Sequence, residues 1–214
     1  LDVLDRELAE ALIEAVESGF FDAVFLGTPC STFSVNRMHD DDGPPQLRST
    51  EYEDLRMPGL SRAGMTHLLE ADALVAFSTC VIRVANARRL PCILENPPSR
   101  GVGSERYQRI FHDHVSMWHL PIVRRMLADT GAGTVRFDQC AFGGPFQKWT
   151  QLAYASPLKP VLDAWRAYKC THCYAKHEYV ARGELSAASA AYPEAMAWLL
   201  AQALLLPREH QIDL

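Results

Sequence analysis

Apolar residues recur at helical spacing in two long stretches of the chain. Behind Asp5, whose carboxylate can accept hydrogen bonds from the free N–H groups of a first turn, Leu8, Ala11, Leu12 and Ala15 share a face and predict a helix over 6–18. Ser61 can cap a longer helix in which Met65, Leu69, Ala73, Ala76, Cys80 and Val84 face inward, which puts Cys80 in the core. Two short apolar runs read as strands. The first is Asp22-Ala23-Val24-Phe25-Leu26-Gly27. The second is Pro91-Cys92-Ile93-Leu94-Glu95-Asn96-Pro97-Pro98, ended by two prolines that have no N–H for a sheet. Beyond them the pattern predicts a helix over 121–128, strands over 134–139 and 151–156, and helices near 160–168 and 193–206. Strands alternating with helices make the chain α/β with a mainly parallel sheet.

The stretch 35–60 interrupts this pattern. It carries Asp40-Asp41-Asp42-Gly43-Pro44-Pro45 without apolar periodicity and reads as a long mobile loop, either a lid over a site or plain disorder. With 214 residues, 48% apolar and 22% charged, 1–214 can bury one sizeable core and reads as a single domain. No uncharged run approaches the roughly 20 residues of a membrane span. The net charge of −5 argues against a surface that binds polyanions generally. Nucleic-acid contacts would come from local clusters such as Arg83 with Arg88-Arg89, Arg100 with Arg106 and Arg109, or Arg124-Arg125, which solvated helix faces explain equally well. Six cysteines without a disulfide framework favour a reducing intracellular compartment, cytoplasm or nucleus.

Candidate chemistry begins where the first strand ends. Thr28-Pro29-Cys30-Ser31-Thr32-Phe33-Ser34 places a thiol just past that strand, where α/β sheets hold their ligands, and Pro29 stiffens the backbone ahead of it. The second strand ends likewise in Glu95 and Asn96. Adjacent strand ends would set Cys30 beside Glu95, and a thiolate next to a carboxyl group that gives or takes a proton is a pair for covalent catalysis. Taken singly, Cys30 reads equally as a small buried hydrophobe near a turn, and Glu95 as a solvated strand end.

A second constellation is Cys170-Thr171-His172-Cys173-Tyr174-Ala175-Lys176-His177, a Cys-x-x-Cys with a histidine four residues on. Structural zinc takes four ligands, and beside Cys170, Cys173 and His177 the nearest candidate for the fourth is Cys140 or His172. Zinc here would staple a subregion over 140–180. A Cys-x-x-Cys can also be redox-active or incidental, although no thioredoxin-like strand–helix setting flanks this one.

Taken in order, Pro29-Cys30 with Phe33-Ser34, then Glu95-Asn96-Pro97, then Gly143-Gly144-Pro145-Phe146-Gln147-Lys148-Trp149-Thr150-Gln151-Leu152 resemble the motifs of cytosine-C5 DNA methyltransferases. Four stretches are similar, more closely, to methyltransferase-like segments of some retroelement and viral polyproteins. They are Gly27-Thr28-Pro29-Cys30-Ser31-Thr32-Phe33-Ser34, Ser116-Met117-Trp118, Phe137-Asp138-Gln139-Cys140-Ala141-Phe142-Gly143 and Lys148-Trp149-Thr150.

The resemblance implies a Rossmann-like fold and a mechanism. The Cys30 thiolate adds to cytosine C6, which readies C5 for a methyl group from S-adenosylmethionine, while Glu95 stabilises charge developing on the N3 and amine edge. It also implies DNA as partner, with the target base extruded from its stack. Lys148 joins the catalytic set; Ser34, Asn96, Gln147 and Thr150 fall on the substrate side, and Asp2, Val3 and Pro29 on the cofactor side. Two departures matter. The two arginines that follow the glutamine of the family's third motif are here Trp149 and Gln151, which leaves Lys148 as the cation. No glycine-rich turn and second-strand acid precede Phe21, so the N-terminal cofactor strands are expected to be missing. The chain then reads as part of a longer polypeptide, whose other parts would be partners, or as a degenerate domain. Three functions stay open: the methyltransferase or its catalytic part, an inactive zinc-stapled descendant that binds nucleic acid or a partner, and a cysteine hydrolase pairing Cys30 with a histidine, in which Glu-Asn-Pro has no role.

Overall fold

The structure is a computed structural model that describes residues 2–39, 43–100, 105–146, 148–172, 177 and 189–209. Asp5 caps the first helix, α1 (Arg6–Ser18): its carboxylate accepts from Glu7 N at 2.9 Å and Leu8 N at 3.3 Å. Gly19 ends that helix at φ 80°, a left-handed conformation in which a side chain would be strained. There follow β1 (Val24–Gly27), α2 (Arg62–Ala87), β2 (Cys92–Asn96), α3 (Glu105–Ile110), α4 (Pro121–Thr130), β3 (Gly133–Asp138), β4 (Trp149–Tyr154), α5 (Lys159–Leu162) and α6 (Glu194–Glu209). The helix expected near 160–168 is α5 continued by a 3-10 turn, Asp163–Ala167. The strand expected at 151–156 begins earlier, at Trp149, which sets Lys148 directly before its first residue.

The four strands form one mixed sheet in the order β1-β2-β4-β3, and this corrects the mainly parallel sheet expected from the sequence. Only β1 and β2 are parallel, joined across α2; β4 runs antiparallel to both β2 and β3. The reason lies in the connection 139–148. Among the described residues no α-helix separates β3 from β4, so the chain turns back through a 3-10 turn, Gln139–Phe142, and Gly143 at φ 82°, and a short return of this kind can only pair strands antiparallel.

Apolar side chains fill both faces of the sheet. Leu94 and Ala153 pack with Val75, Ile82, Val123 and Met126 of α2 and α4 on one face. Ile93, Leu152 and Tyr154 pack with Leu162, Trp165, Met196 and Leu200 on the other. All five residues of β2 are buried, as expected of a strand covered on both sides. Among the described residues no helix is long and apolar enough to cross a membrane.

The inward face of α2 also differs from expectation. Its buried residues are Leu68, Ala71, Val75, Ser78, Thr79, Val81, Ile82 and Ala85, while Leu69 is 51% exposed and Cys80 lies on the surface. The helix is apolar nearly all round, so periodicity could not choose a face. Two polar residues turn inward because their hydroxyls are satisfied there: Ser78 Oγ donates to Leu74 O at 2.8 Å and Thr79 Oγ1 to Ala76 O at 2.8 Å. Within 35–60, Leu47, Arg48 and Ser49 are buried, and Arg48 pairs with Asp72 of α2 at 2.6 Å while lying 4.3 Å over the Phe33 ring. The aspartates at 40–42 lie outside the described residues.

Candidate active site and metal centre

Parallel pairing of β1 with β2 sets Gly27 opposite Glu95. The chain leaves β1 through Thr28 and Pro29 into a 3-10 turn, Ser31–Phe33, which Cys30 precedes at φ −98° and ψ 5°. Side chains from four directions hold this turn. Thr28 Oγ1 shares a hydrogen bond with Ser78 Oγ at 2.7 Å, and Thr28 O accepts from Asn96 Nδ2 at 2.8 Å. His114 Nε2 lies 2.8 Å from Phe33 O, and Arg37 Nε donates to Ser31 O at 2.6 Å. Arg100 N donates to His114 Nδ1 at 3.2 Å, so the ring proton sits on Nε2 and goes to Phe33 O. Burial keeps that imidazole neutral, with its pKa lowered to about 4.

Cys30 and Glu95 line one cavity of about 290 Å³ together with Pro29, Ser34, Lys148 and Trp149. Glu95 is 6% exposed. Its Oε2 accepts from Tyr192 OH at 2.8 Å, and its Oε1 has no partner among the described residues. Lys148 Nζ donates to Ser189 O at 2.8 Å and lies 5.7 Å from the Tyr192 ring. Burial pushes the Cys30 thiol above its ordinary pKa, helped by the charge of Glu95 and opposed by Lys148. Burial raises Glu95 as well, against the Tyr192 hydrogen bond and Lys148, and it raises the Tyr192 phenol. Two acids whose charged forms are disfavoured thus share a cavity with a cation that favours both.

Not every residue expected at the site lines it. Pro29 and Ser34 do, the latter with its Oγ accepting from Asn36 N at 3.2 Å. Asn96 is fully buried behind the cavity on Thr28 O, and Thr150 is buried with its Oγ1 accepting from Gln139 Nε2 at 2.8 Å; neither lines the cavity. Gln147 lies outside the described residues. Asp2 and Val3 stand ahead of α1, where Asp2 Oδ1 accepts from Leu4 N at 3.0 Å, and neither borders the cavity. Sequence reasoning missed Tyr192, His114 and the placement of Arg100, whose guanidinium lies 4.8 Å over the Trp149 ring at the cavity wall. Tyr192 stands in Ala190-Ala191-Tyr192-Pro193, which carries no motif, so nothing local could have marked it.

The second site draws on three places in the chain. Cys140 sits in the turn after β3, Cys170 and His172 follow the 3-10 turn Asp163–Ala167, and His177 lies beyond. Their ligand atoms all lie within 4.8 Å of one another and could hold a metal ion. Cys170 Sγ is 3.3 Å from His177 Nε2 and 3.7 Å from His172 Nδ1. Ligands about 2.0–2.3 Å from a tetrahedral centre are about 3.3–3.8 Å apart, so these separations suit one ion. Burial and the adjoining Cys170 push the Cys140 thiol up to about 12, a preference for the proton that a bound cation would reverse. His172 therefore stands in the cluster with Cys140, and Cys173 lies outside the described residues. Compared with protein-family models, curated proteins and solved structures, the chain finds no match.

Proposed function

We propose that the cavity at the carboxyl ends of β1 and β2 captures a cytosine base of DNA, with Cys30 as nucleophile and Glu95 on the base's N3 edge, in a Rossmann-like, methyltransferase-like domain. The observation that carries this reading is the register of Gly27 with Glu95, which brings a thiol and a carboxyl group from neighbouring strand ends into one cavity. The thiol gives up its proton to bulk solvent, sulfur bonds to C6, the C5–C6 π bond opens with its electron pair moving through the ring toward N3, and N3 takes a proton from Glu95. Glu95, whose protonated form burial favours, hydrogen-bonds N3 and stabilises that density as it forms. A proton on Glu95 would also spare the thiolate a neighbouring negative charge, while Lys148 favours the thiolate directly. Arg100 and Trp149 at the rim suit an extruded base and its phosphates.

In the family that this reading follows, S-adenosylmethionine supplies the methyl group. The described residues do not fit that donor: of the three positions assigned to it only Pro29 lines the cavity, and the Asp2 carboxylate is turned onto its own backbone. The reading therefore ends at base capture, and the same observation favours a second one, an inactive descendant that binds nucleic acid. The two separate on an oligonucleotide, as DNA and as RNA, with 2-pyrimidinone at the target, a base that accepts a thiolate at C6 without a methyl donor. A covalent adduct seen by mass spectrometry and lost in Cys30→Ser supports capture. Oligonucleotide binding without an adduct supports the inactive descendant, and neither binding nor adduct ends both readings.

For the metal centre the donor set, two thiols and two imidazoles, points to zinc as a structural ion. Protein purified without added metal is expected to carry about one zinc per chain.

A further inference from the structure

We infer that the metal centre braces the wall of the cavity formed by Lys148 and Tyr192, so that metal occupancy sets the surroundings of Glu95 and leaves the backbone turn that carries Cys30 unchanged. This rests on the zinc reading above. The argument follows the bonds outward from the ligands. Cys140 belongs to the turn Gln139–Phe142, and its neighbour Gln139 is tied to Lys148 and to the strand just beyond it: Gln139 N donates to Lys148 O at 2.9 Å, and Gln139 Nε2 donates to Thr150 Oγ1 at 2.8 Å. Cys170 is tied to the same place, since its N–H donates to Asp138 Oδ2 at 2.9 Å while Asp138 N donates to Tyr168 O at 3.1 Å. An ion held by Cys140 and Cys170 thus closes a loop of chain around the backbone that presents Lys148.

From Lys148 the connection runs to Glu95. Lys148 Nζ donates to Ser189 O, its charge lies over the Tyr192 ring, and Tyr192 OH donates to Glu95 Oε2. Helix α6, which follows Tyr192, packs against the Gln139–Phe142 turn itself. The ligand turn is therefore in contact with both ends of this wall. The turn that carries Cys30 has no such dependence, because Ser78, Asn96 and His114 hold it from α2, β2 and the segment before α4.

Hydrogen exchange on the full chain tests this, read by mass spectrometry before and after the metal is removed with a chelator and again after one equivalent of zinc is returned. Peptides covering 138–150 and 189–194 are expected to exchange about tenfold faster without metal, while those covering 24–34 and 92–96 keep their rates, and zinc restores the first group. His172→Ala, a change at an exposed ligand, is expected to lower the metal content and reproduce the pattern without a chelator. Metal loss with 138–150 and 189–194 unchanged overturns the brace and leaves the zinc reading intact. Faster exchange throughout the chain also overturns it, since the ion would then hold the whole fold. A chain that carries no metal and takes up none on zinc titration overturns the zinc reading, and the brace with it.

Discussion

The wall of the cavity that carries Cys30 is held by side chains rooted in the core, whereas the wall that touches Glu95 is held by Lys148 and Tyr192, which come from far along the chain and lean on a cluster of metal-type ligands. On the first wall the hydrogen bonds are buried and reach backbone atoms: Asn96 to Thr28 O and His114 to Phe33 O. On the second, Lys148 Nζ reaches Ser189 O but Glu95 itself is held through a side chain, and a rotation of Tyr192 would undo that bond. On the proposed reading the nucleophile, Cys30, is thus preset by the fold, and Glu95, the group that would stabilise charge on the base, is adjustable. Such a division suits a site in which the thiol must stay in one place while the carboxyl group meets a base that arrives from outside.

The sharpest way to break this comparison is to remove the chemistry from Glu95 and keep its shape. Glu95→Gln preserves an acceptor for Tyr192 but cannot pass a proton toward N3. Adduct formation with the 2-pyrimidinone oligonucleotide is expected to slow by about 10²–10³, the range for loss of one charge-stabilising group. A variant within threefold of wild type would remove Glu95 from the site. The same variant carries a stability test. Burial raises the folded pKa of Glu95 above its ordinary 4.5, so between 4.5 and that raised value the native state binds more protons than the unfolded chain, and stability falls as pH rises through the window. Urea midpoints of wild type should decline relative to Glu95→Gln from pH 4.5 upward and then run parallel. A wild type that gains on the variant over that window would contradict the raised pKa.

The contrast between the walls also marks what the sequence could tell. Asp5 was legible as the start of α1 because a cap acts within one turn, and Cys30 and Glu95 were legible because each stands at the end of its own apolar strand. The mixed sheet was not legible, since the choice between hairpin and crossover rests on 139–148, a stretch without helix or strand pattern. The buried face of α2 includes Ser78 and Thr79, whose hydroxyls the helix's own carbonyls satisfy, which periodicity does not register. The cluster of Cys140 with Cys170 and His177 was legible from ligand type and spacing, whereas the bond from Tyr192 to Glu95 is a product of tertiary packing alone.

A smaller effect is expected on the adjustable wall. Tyr192→Phe keeps the ring against Phe25, 5.8 Å away edge to face, and removes only the donor to Glu95 Oε2. Adduct formation should slow about tenfold, the equivalent of one hydrogen bond of about 1.4 kcal/mol. Because that bond favours the Glu95 carboxylate, its loss raises the Glu95 pKa further, and the fall in rate on the alkaline side should move to higher pH. An unmoved pH profile would reduce Tyr192 to a packing residue.

The smallest effect belongs to the preset wall. Ser78→Ala deletes a buried hydroxyl that donates to Leu74 O and shares a hydrogen bond with Thr28 Oγ1, two residues before the nucleophile. Loss of one such bond costs about 1 kcal/mol of stability, read as a lower urea midpoint with an unchanged slope. The adduct rate should stay within threefold, because Asn96 still holds Thr28 O and His114 still holds Phe33 O, so that the Cys30 turn keeps two of its buried anchors. A rate that fell as far as in Tyr192→Phe would mean that the two walls are equally adjustable, and that Cys30 owes its position to a single hydroxyl pair rather than to the fold.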